Sequence, residues 1–133
     1  MDKTGRVAVV TGSSRGVGAA TAKLLAEKGY HVVVNYSKSE KEARDVQAAC
    51  EALGAETILC RADVAEDADC RRLAEETMSR WGRIDALINN AGTTKFCAHE
   101  DLDGLSKDDF LRIYSTNVVG PYQMTRAAAP YMK

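Results

Sequence analysis

The sequence lacks the features that mark a membrane protein, a secreted protein or a nucleic-acid-binding protein. No apolar run approaches the ~18 residues that a membrane-spanning helix needs, and the opening stretch MDKTGRVAVVTG has no signal-peptide pattern. Lysine and arginine number 18 against 19 acidic residues, which gives a formal net charge of -1 without any basic run. We therefore expect neither a membrane partner nor a nucleic-acid partner.

Cysteine pairs of the kind that bind metal are also lacking. The four cysteines contain no C-x-x-C pair, and no histidine lies at metal-ligand spacing from them: Cys50, Cys60, Cys70 and Cys97. This usage favours free thiols in a reducing compartment, so we expect a cytoplasmic protein without a metal site.

What the sequence does contain is a regular alternation of short apolar runs and amphipathic stretches. With 133 residues, it has room for one domain or a part of one. The pattern predicts strands at residues 6–11, 31–36, 56–61 and 84–88, and helices at residues 16–28, 39–53 and 66–81. A last, long helix opens at a capping box formed by Ser106 and Asp109. Such apolar strands need helices on both faces, which predicts an α/β fold with a parallel sheet.

A glycine-rich turn, TGSSRGVG at residues 11–18, lies between the first strand and the first helix. Gly12 suits a tight turn, Gly16 lets the backbone approach a pyrophosphate, and Gly18 allows close packing of helix and strand. The free N–H groups at the helix start attract phosphate oxygens. The turn therefore predicts a dinucleotide site, with the spacing G-x-x-x-G-x-G instead of G-x-G-x-x-G.

These residues resemble the T-G-x-x-x-G-x-G signature of the short-chain dehydrogenase/reductase family. The resemblance continues, in family order, through Asp63-Val64, Asn89-Asn90-Ala91-Gly92 and Asn117. It implies a Rossmann-type doubly wound parallel sheet with the strand order 3-2-1-4. It also implies hydride transfer between a nicotinamide cofactor and a small-molecule carbonyl or alcohol substrate, such as a 3-oxoacyl thioester or a sugar.

The resemblance also implies the residues that hold the cofactor. In the turn, Ser14, Arg15 and Val17 join the three glycines. Asp63 would accept a hydrogen bond from the adenine amino group, with the backbone of Val64 beside it. Asn90, Ala91 and Gly92 would line the nicotinamide ribose. Two alternatives stay open at this point: Asp63 as a helix N-cap, and a structural role for Asn89, whose amide can join neighbouring loops.

The end of the second predicted strand bears on the choice between NAD and NADP. We expect Asn35, Tyr36 and Ser37 to contact the cofactor there; Lys38 follows, and no acidic residue comes before Glu40. A carboxylate that would select NAD by binding the ribose 2′-OH is therefore missing. Arg15 and Lys38 supply positive charge and Ser37 a hydroxyl, so we expect NADP. The alternative is that these cations point into water.

Asn117, in the last predicted helix, is the predicted catalytic residue, and Pro121 follows it in the same helix. Proline cannot donate to the carbonyl four residues earlier, so the helix should bend and free the Asn117 carbonyl. In the family that the sequence resembles, the matching asparagine holds a water that serves the catalytic lysine. A kink used only for packing is the alternative.

The proton-transferring residues that the resemblance implies, a serine and a Tyr-x-x-x-Lys pair, are not found. Tyr122 is followed four residues later by Arg126, and Tyr131 and Lys133 are too close in sequence to share a helix face. We therefore expect residues 1–133 to be one incomplete Rossmann domain, the N-terminal half of a longer protein that is inactive without the rest. The resemblance implies that the full protein forms a homo-oligomer, a dimer or a tetramer.

Two other functions remain open. The chain could be a non-catalytic dinucleotide-binding module, or it could bind S-adenosylmethionine in a methyltransferase. The Arg15 turn and the Asn-Asn-Ala-Gly segment argue against the methyltransferase, because neither serves a ligand without phosphates.

Overall fold

A computed structural model of the chain describes residues 5–132, and its centre is a parallel four-stranded sheet. The strands are β1 (Val7–Val10), β2 (His31–Tyr36), β3 (Thr57–Arg61) and β4 (Ala86–Ile88), in the order β3-β2-β1-β4. Val10 is in register with Val34 of β2 and with Ile88 of β4. The predicted fold class and strand order are thus confirmed. Apart from β2, each strand is shorter than predicted.

Helices cover both faces of the sheet. They are α1 (Gly16–Glu27), α2 (Glu40–Ala52), α3 (Asp67–Trp81), α4 (Lys107–Tyr114) and α5 (Gly120–Ala128). Successive strand residues point to opposite faces: Val10 packs in the core with α1 and α2, and Val9 packs in the core with α3 and α5. The sheet therefore separates two apolar cores, which is the doubly wound arrangement.

The long C-terminal helix of the prediction is divided. Its start is confirmed, because Ser106 Oγ accepts the Asp109 N–H at 3.2 Å and the Asp109 carboxylate accepts the Ser106 N–H at 2.9 Å. A π-helical segment, Ser115–Val119, then separates α4 from α5, with the Gly120 N–H donating to the Ser115 carbonyl. The disturbance expected before Pro121 therefore takes the form of a widened turn.

A short 3₁₀ turn, Ala129–Tyr131, follows α5 directly. Tyr131 is 41% exposed. Lys133 lies outside the described residues, so the expectation that these two residues do not share a site stays a prediction.

Candidate functional site

A cleft of about 490 Å³ opens at the carboxyl ends of the four strands. This is the edge at which open α/β sheets bind ligands. Most of the predicted site residues line it: Gly12, Ser14, Arg15, Asn35, Tyr36, Ser37, Asp63, Val64, Asn90, Ala91 and Gly92. Gly16, Val17 and Gly18 continue the turn into α1, and Asn117 lies behind Gly92.

The three glycines of the turn are needed for different reasons. Gly12 has a φ of +62°, and a Cβ there would lie 2.7 Å from the Ala91 Cα. Gly16 also has a φ of +62° but has no neighbour within 4 Å of its Cβ position, so its requirement is conformational and its outer side is open. A Cβ on Gly18 would overlap the Gly12 carbonyl oxygen and the Asn90 side-chain amide. The close packing predicted for Gly18 is therefore a contact with the glycine turn and the Asn90 side chain.

The N-terminus of α1 is left without a protein cap. Arg15 occupies the N-cap position, no side chain accepts a hydrogen bond there, and the first turn contains no acidic residue. The first N–H groups of an α-helix have no intrahelical acceptors and carry the positive end of the helix dipole. This helix start can therefore accept an anion.

Hydrogen bonds join the segment after β4 to the glycine turn. The Thr11 hydroxyl accepts the N–H groups of Asn90 and Ala91, both at 3.0 Å, and Asn90 Nδ2 donates to the Gly12 carbonyl at 3.0 Å. Asn89 Nδ2 donates to the Thr125 hydroxyl at 3.2 Å, so its amide does join neighbouring elements.

Thr11 was not among the predicted site residues. The signal that could have found it is a hydroxyl residue at the point where the strand meets the glycines.

Asn35 has a role within the protein that the sequence interpretation did not include. Its contact with a cofactor stays a prediction, while its buried side chain directs its polar atoms at the protein backbone. Its Oδ1 accepts the Gly12 N–H at 2.9 Å, and its Nδ2 donates to the carbonyls of Cys60 and Ala62 at 3.2 and 3.1 Å. These bonds leave the amide of Asn35 engaged within the protein.

Glu40, the acidic residue nearest to the end of β2, is not among the residues that line the cleft. The Glu40 carboxylate accepts hydrogen bonds from Arg44 at 2.9 Å and from the Tyr36 hydroxyl at 3.2 Å. These contacts lower the pKa of Glu40, with Arg44 the largest cause. Burial, followed by the hydrogen bond to Glu40, raises the pKa of Tyr36.

Positive charge predominates around the cleft. Among the described residues, its charged lining consists of Arg15, Lys38 and Arg112 against one carboxylate, Asp63. The cleft therefore suits a ligand that carries several negative charges.

Asp63 forms a turn after β3. Its Oδ1 accepts the Ala65 N–H at 3.0 Å, and its own N–H donates to the Asp69 carboxylate at 2.9 Å. Glu66, without a capping side chain, occupies the N-cap of α3. Asp63 thus stabilises the turn before the helix and is not the N-cap that the alternative interpretation proposed.

Val64 is fixed from the side of α5. Gln123 Nε2 donates to the Val64 carbonyl at 2.8 Å, and a Cβ on Gly120 would lie 2.6 Å from Val64 Cγ2. The helix that follows the π-helical segment therefore supports the segment that follows β3.

Asn117 clamps the segment that continues from Gly92. Its Oδ1 accepts the Thr93 N–H at 2.7 Å, and its Nδ2 donates to the Thr93 carbonyl at 2.9 Å. Arg112 adds a bond to the Thr93 hydroxyl at 2.8 Å. The catalytic role expected of Asn117, through its backbone carbonyl, stays a prediction, and the clamp by its side chain is an additional role.

The comparison with known proteins decides the family. Residues 6–133 match the sequence profile of the short chain dehydrogenases. The chain belongs to this family. The dehydrogenase resemblance on which the sequence interpretation rested is confirmed.

Individual members of the family are similar to this chain in sequence and fold. A 3-oxoacyl-[acyl-carrier-protein] reductase of a Synechocystis species is 39% identical over 129 residues, which cover 97% of this chain and 51% of that protein. A short chain dehydrogenase of Burkholderia cenocepacia, solved in complex with NADP, is 38% identical with a TM-score of 0.89, over 96% of this chain and 51% of the other. A Serratia marcescens short-chain dehydrogenase/reductase is 34% identical with a TM-score of 0.88, over 97% of this chain and 51% of that one. The chain spans about half the length of the curated dehydrogenases that it matches.

The cleft fits the dinucleotide that dehydrogenases use. Glycines at positions 12 and 18 let the turn pack closely against itself and the segment after β4, α1 begins without a side-chain cap, and cations line the opening. These are the features by which a βα turn receives a pyrophosphate.

The thiols of this dehydrogenase chain are poor nucleophiles where they are buried. Burial is the largest cause that raises the pKa of Cys50 and Cys70 to about 11 and that of Cys60 to about 12.

Within residues 5–132, no cluster of histidine, cysteine, aspartate and glutamate could hold a metal ion, and no helix is long and apolar enough to cross a membrane.

Proposed function

We propose that this chain binds NADP in the cleft and positions it for hydride exchange with a small carbonyl or alcohol substrate. The observation that carries the proposal is the cleft itself, in which an uncapped helix start meets Arg15 and Lys38. The NADP complex of the Burkholderia cenocepacia relative supports the proposal.

The choice of NADP over NAD rests on the end of β2. Ser37 and Lys38 line the cleft, whereas Glu40 is bound to Arg44 and Tyr36. A 2′-phosphate would meet a hydroxyl and two cations there, with no carboxylate from β2 to repel it. Arg15 and Lys38 are therefore the proposed selectivity residues.

The other cleft residues have proposed roles of the same kind. When bound, the nicotinamide supplies the hydride chemistry. Asp63 accepts the adenine amino group, Val64 offers its backbone, and the small residues Ala91 and Gly92 leave room for the ribose. Asn117, through Thr93, fixes the end of the segment that lines this ribose.

We further propose that these 133 residues do not complete the reaction. The sequence contains no Tyr-x-x-x-Lys pair, in which the tyrosine would donate the proton and the lysine would lower the tyrosine's pKa.

The proposed substrate class is a 3-oxoacyl thioester, because the Synechocystis relative is a 3-oxoacyl-[acyl-carrier-protein] reductase. The free thiols favour a reducing compartment such as the cytoplasm.

A homo-oligomer is proposed on the exposed face of α4 and α5. Phe110, Tyr114, Val118 and Tyr122 follow each other at intervals of four residues and are 51–63% exposed. Apolar side chains at this spacing lie on one side of a helix, which suits burial against another helix.

A calorimetric titration of the chain tests the proposal. We expect NADPH to bind, NADH to bind more weakly because it lacks the 2′-phosphate, and S-adenosylmethionine not to bind. Binding of S-adenosylmethionine without NADPH would contradict the dehydrogenase function. Equal affinities for NADPH and NADH would contradict only the NADP preference.

A further inference from the structure

We propose that Asn35 is a positioning residue that holds the glycine-rich turn in its phosphate-binding shape before a nucleotide arrives. The inference rests on the proposed function and adds to the direct cofactor contact that the sequence suggested for Asn35. It concerns how the site is prepared for its ligand.

The side-chain amide of Asn35 connects the carboxyl ends of three strands. Asn35 belongs to β2, Gly12 follows β1, and Cys60 and Ala62 lie at the end of β3. The bond from the Gly12 N–H to Oδ1 is 2.9 Å long, and the bonds from Nδ2 to the two carbonyls are 3.2 and 3.1 Å long. One side chain therefore fixes the turn relative to both neighbouring strand ends.

The orientation of this amide is determined by its partners. Gly12 offers a donor, which only Oδ1 can accept, and Cys60 and Ala62 offer acceptors, which only Nδ2 can satisfy. Because Asn35 is 1% exposed, a reversed amide would leave these buried groups unpaired. The contact to Gly12 is thus enforced from the opposite end of the side chain.

The backbone of Asn35 pairs with the turn as well. The Ser13 N–H donates to the Asn35 carbonyl at 2.9 Å, and the Asn35 N–H donates to the Ser13 hydroxyl at 2.9 Å. That hydroxyl donates in turn to the Val10 carbonyl at 2.8 Å. Gly12 and Ser13 are consequently both anchored to β2.

The anchoring has a consequence for ligand binding. Gly12 adopts a positive φ, and a glycine without an anchor samples many backbone conformations. A turn that is already ordered has less conformational freedom to lose when a ligand binds. The Gly12 N–H is occupied by Asn35, whereas the amides at the start of α1, which has no side-chain cap, remain for a phosphate.

The test compares Asn35→Ala with the unmodified chain in titrations with NADPH, NADH and ADP. All three ligands share the pyrophosphate, so we expect each Kd to rise by the same factor, about tenfold, or about 1.4 kcal/mol. The ratio of the NADPH and NADH affinities should stay unchanged. A loss confined to NADPH would mean direct contact at the 2′-position and would overturn the proposal.

A control variant separates positioning from loss of stability. Thr77 is fully buried in α3, and its hydroxyl donates to Leu73 within the same helix at 2.8 Å. Thr77→Ala should lower the melting temperature and leave all three Kd values unchanged. If Asn35→Ala behaves in the same way, Asn35 only stabilises the fold and the proposal is wrong.

The unmodified chain provides a measurement that does not depend on the variant folding. Without nucleotide, the Gly12 amide hydrogen should exchange slowly with solvent, and NADPH should change its rate little. The amides of Gly16 and Val17 should become slow only with NADPH. Fast exchange of the Gly12 amide in the free chain would overturn the proposal. Failure of the chain to bind any of the three nucleotides would contradict the proposed function, while slow exchange at Gly12 would still support its anchoring by Asn35.

Discussion

The two sides of the cleft are held in different ways. On the side of β1, β2 and β3, buried and partly buried hydrogen bonds of Asn35 and Ser13 fix the glycine turn. On the side of α4, no residue of the helix is buried, and exposed side chains such as Asn117 and Arg112 provide the contacts. Buried hydrogen bonds are costly to leave unmade, whereas exposed ones compete with water. We therefore expect a rigid nucleotide side and a more mobile α4 side.

Gly18→Ala should give the largest effect, because it attacks the rigid side. The new Cβ would displace the Gly12 carbonyl or the Asn90 amide. We expect the free energy of unfolding to fall by about 1–3 kcal/mol and the NADPH affinity to fall roughly 100-fold, measured by denaturation and calorimetry.

Gly82→Ala is the control for this change. Gly82 has a φ of +72° at the end of α3, and no atom lies within 4 Å of its Cβ position. This variant should lose about 1 kcal/mol through backbone strain and keep its NADPH affinity. Equal affinities of the two variants would show that the turn is less constrained than its packing suggests.

Arg15→Ala should affect the rigid side through charge alone, because Arg15 is exposed. Removing a charged partner of a phosphate is expected to weaken NADPH binding about tenfold, with a smaller effect on NADH. Lys41→Ala, which removes an exposed cation of α2 outside the cleft lining, serves as the control. A similar response of NADPH to both variants would indicate a general charge effect without a defined phosphate contact.

Asn117→Ala should loosen the α4 side with a moderate effect. Both bonds to the Thr93 backbone would be lost, at about 0.5–1.5 kcal/mol each. Trypsin cleavage after Lys95, followed by mass spectrometry, should become several times faster. Asn117→Asp keeps the acceptor for the Thr93 N–H, so its cleavage rate should lie between those of the unmodified chain and Asn117→Ala. An unchanged cleavage rate would mean that the clamp does not order this loop.

Acid should weaken the α4 side by a small amount. The backbone N–H of Ser106, the largest cause, and Lys95 lower the pKa of Asp109 to about 2. Because this pKa lies below the ordinary value of about 3.9, the carboxylate stabilises the fold above that value, and the contribution is lost as the pH falls towards 2. Unfolding measured at pH values of about 5 and 2 should therefore show a smaller acid effect in Asp109→Asn. The same acid effect in both proteins would exclude Asp109 as a source.

Sequence patterns were sufficient for the sheet and the glycine turn. Short β-branched runs that end at glycine have few interpretations, and the resemblance supplied the strand order. The capping box at Ser106 is a local device and could be predicted because both partners lie within one turn.

The bonds of Asn35 within the protein could not be predicted from the sequence. A polar residue at the end of an apolar strand suggests a ligand contact, and its partners Gly12 and Ala62 are far away along the chain. The π-helical segment was foreseen only as a disturbance, because Pro121 removes a donor without determining which carbonyl the Gly120 N–H will bind. Long-range pairing decided the case of Asn35, whereas the π-helical bond is a local choice between neighbouring carbonyls.

Amide hydrogen exchange along the chain, with and without NADPH, distinguishes a rigid nucleotide site from a mobile α4 side in one experiment. NADPH should slow exchange at residues 14–18, 36–38, 63–64 and 90–92, while residues 107–114 of α4 should exchange rapidly in both states. Slowing that is centred on α4, with the start of α1 unchanged, would contradict this assignment of the nucleotide site.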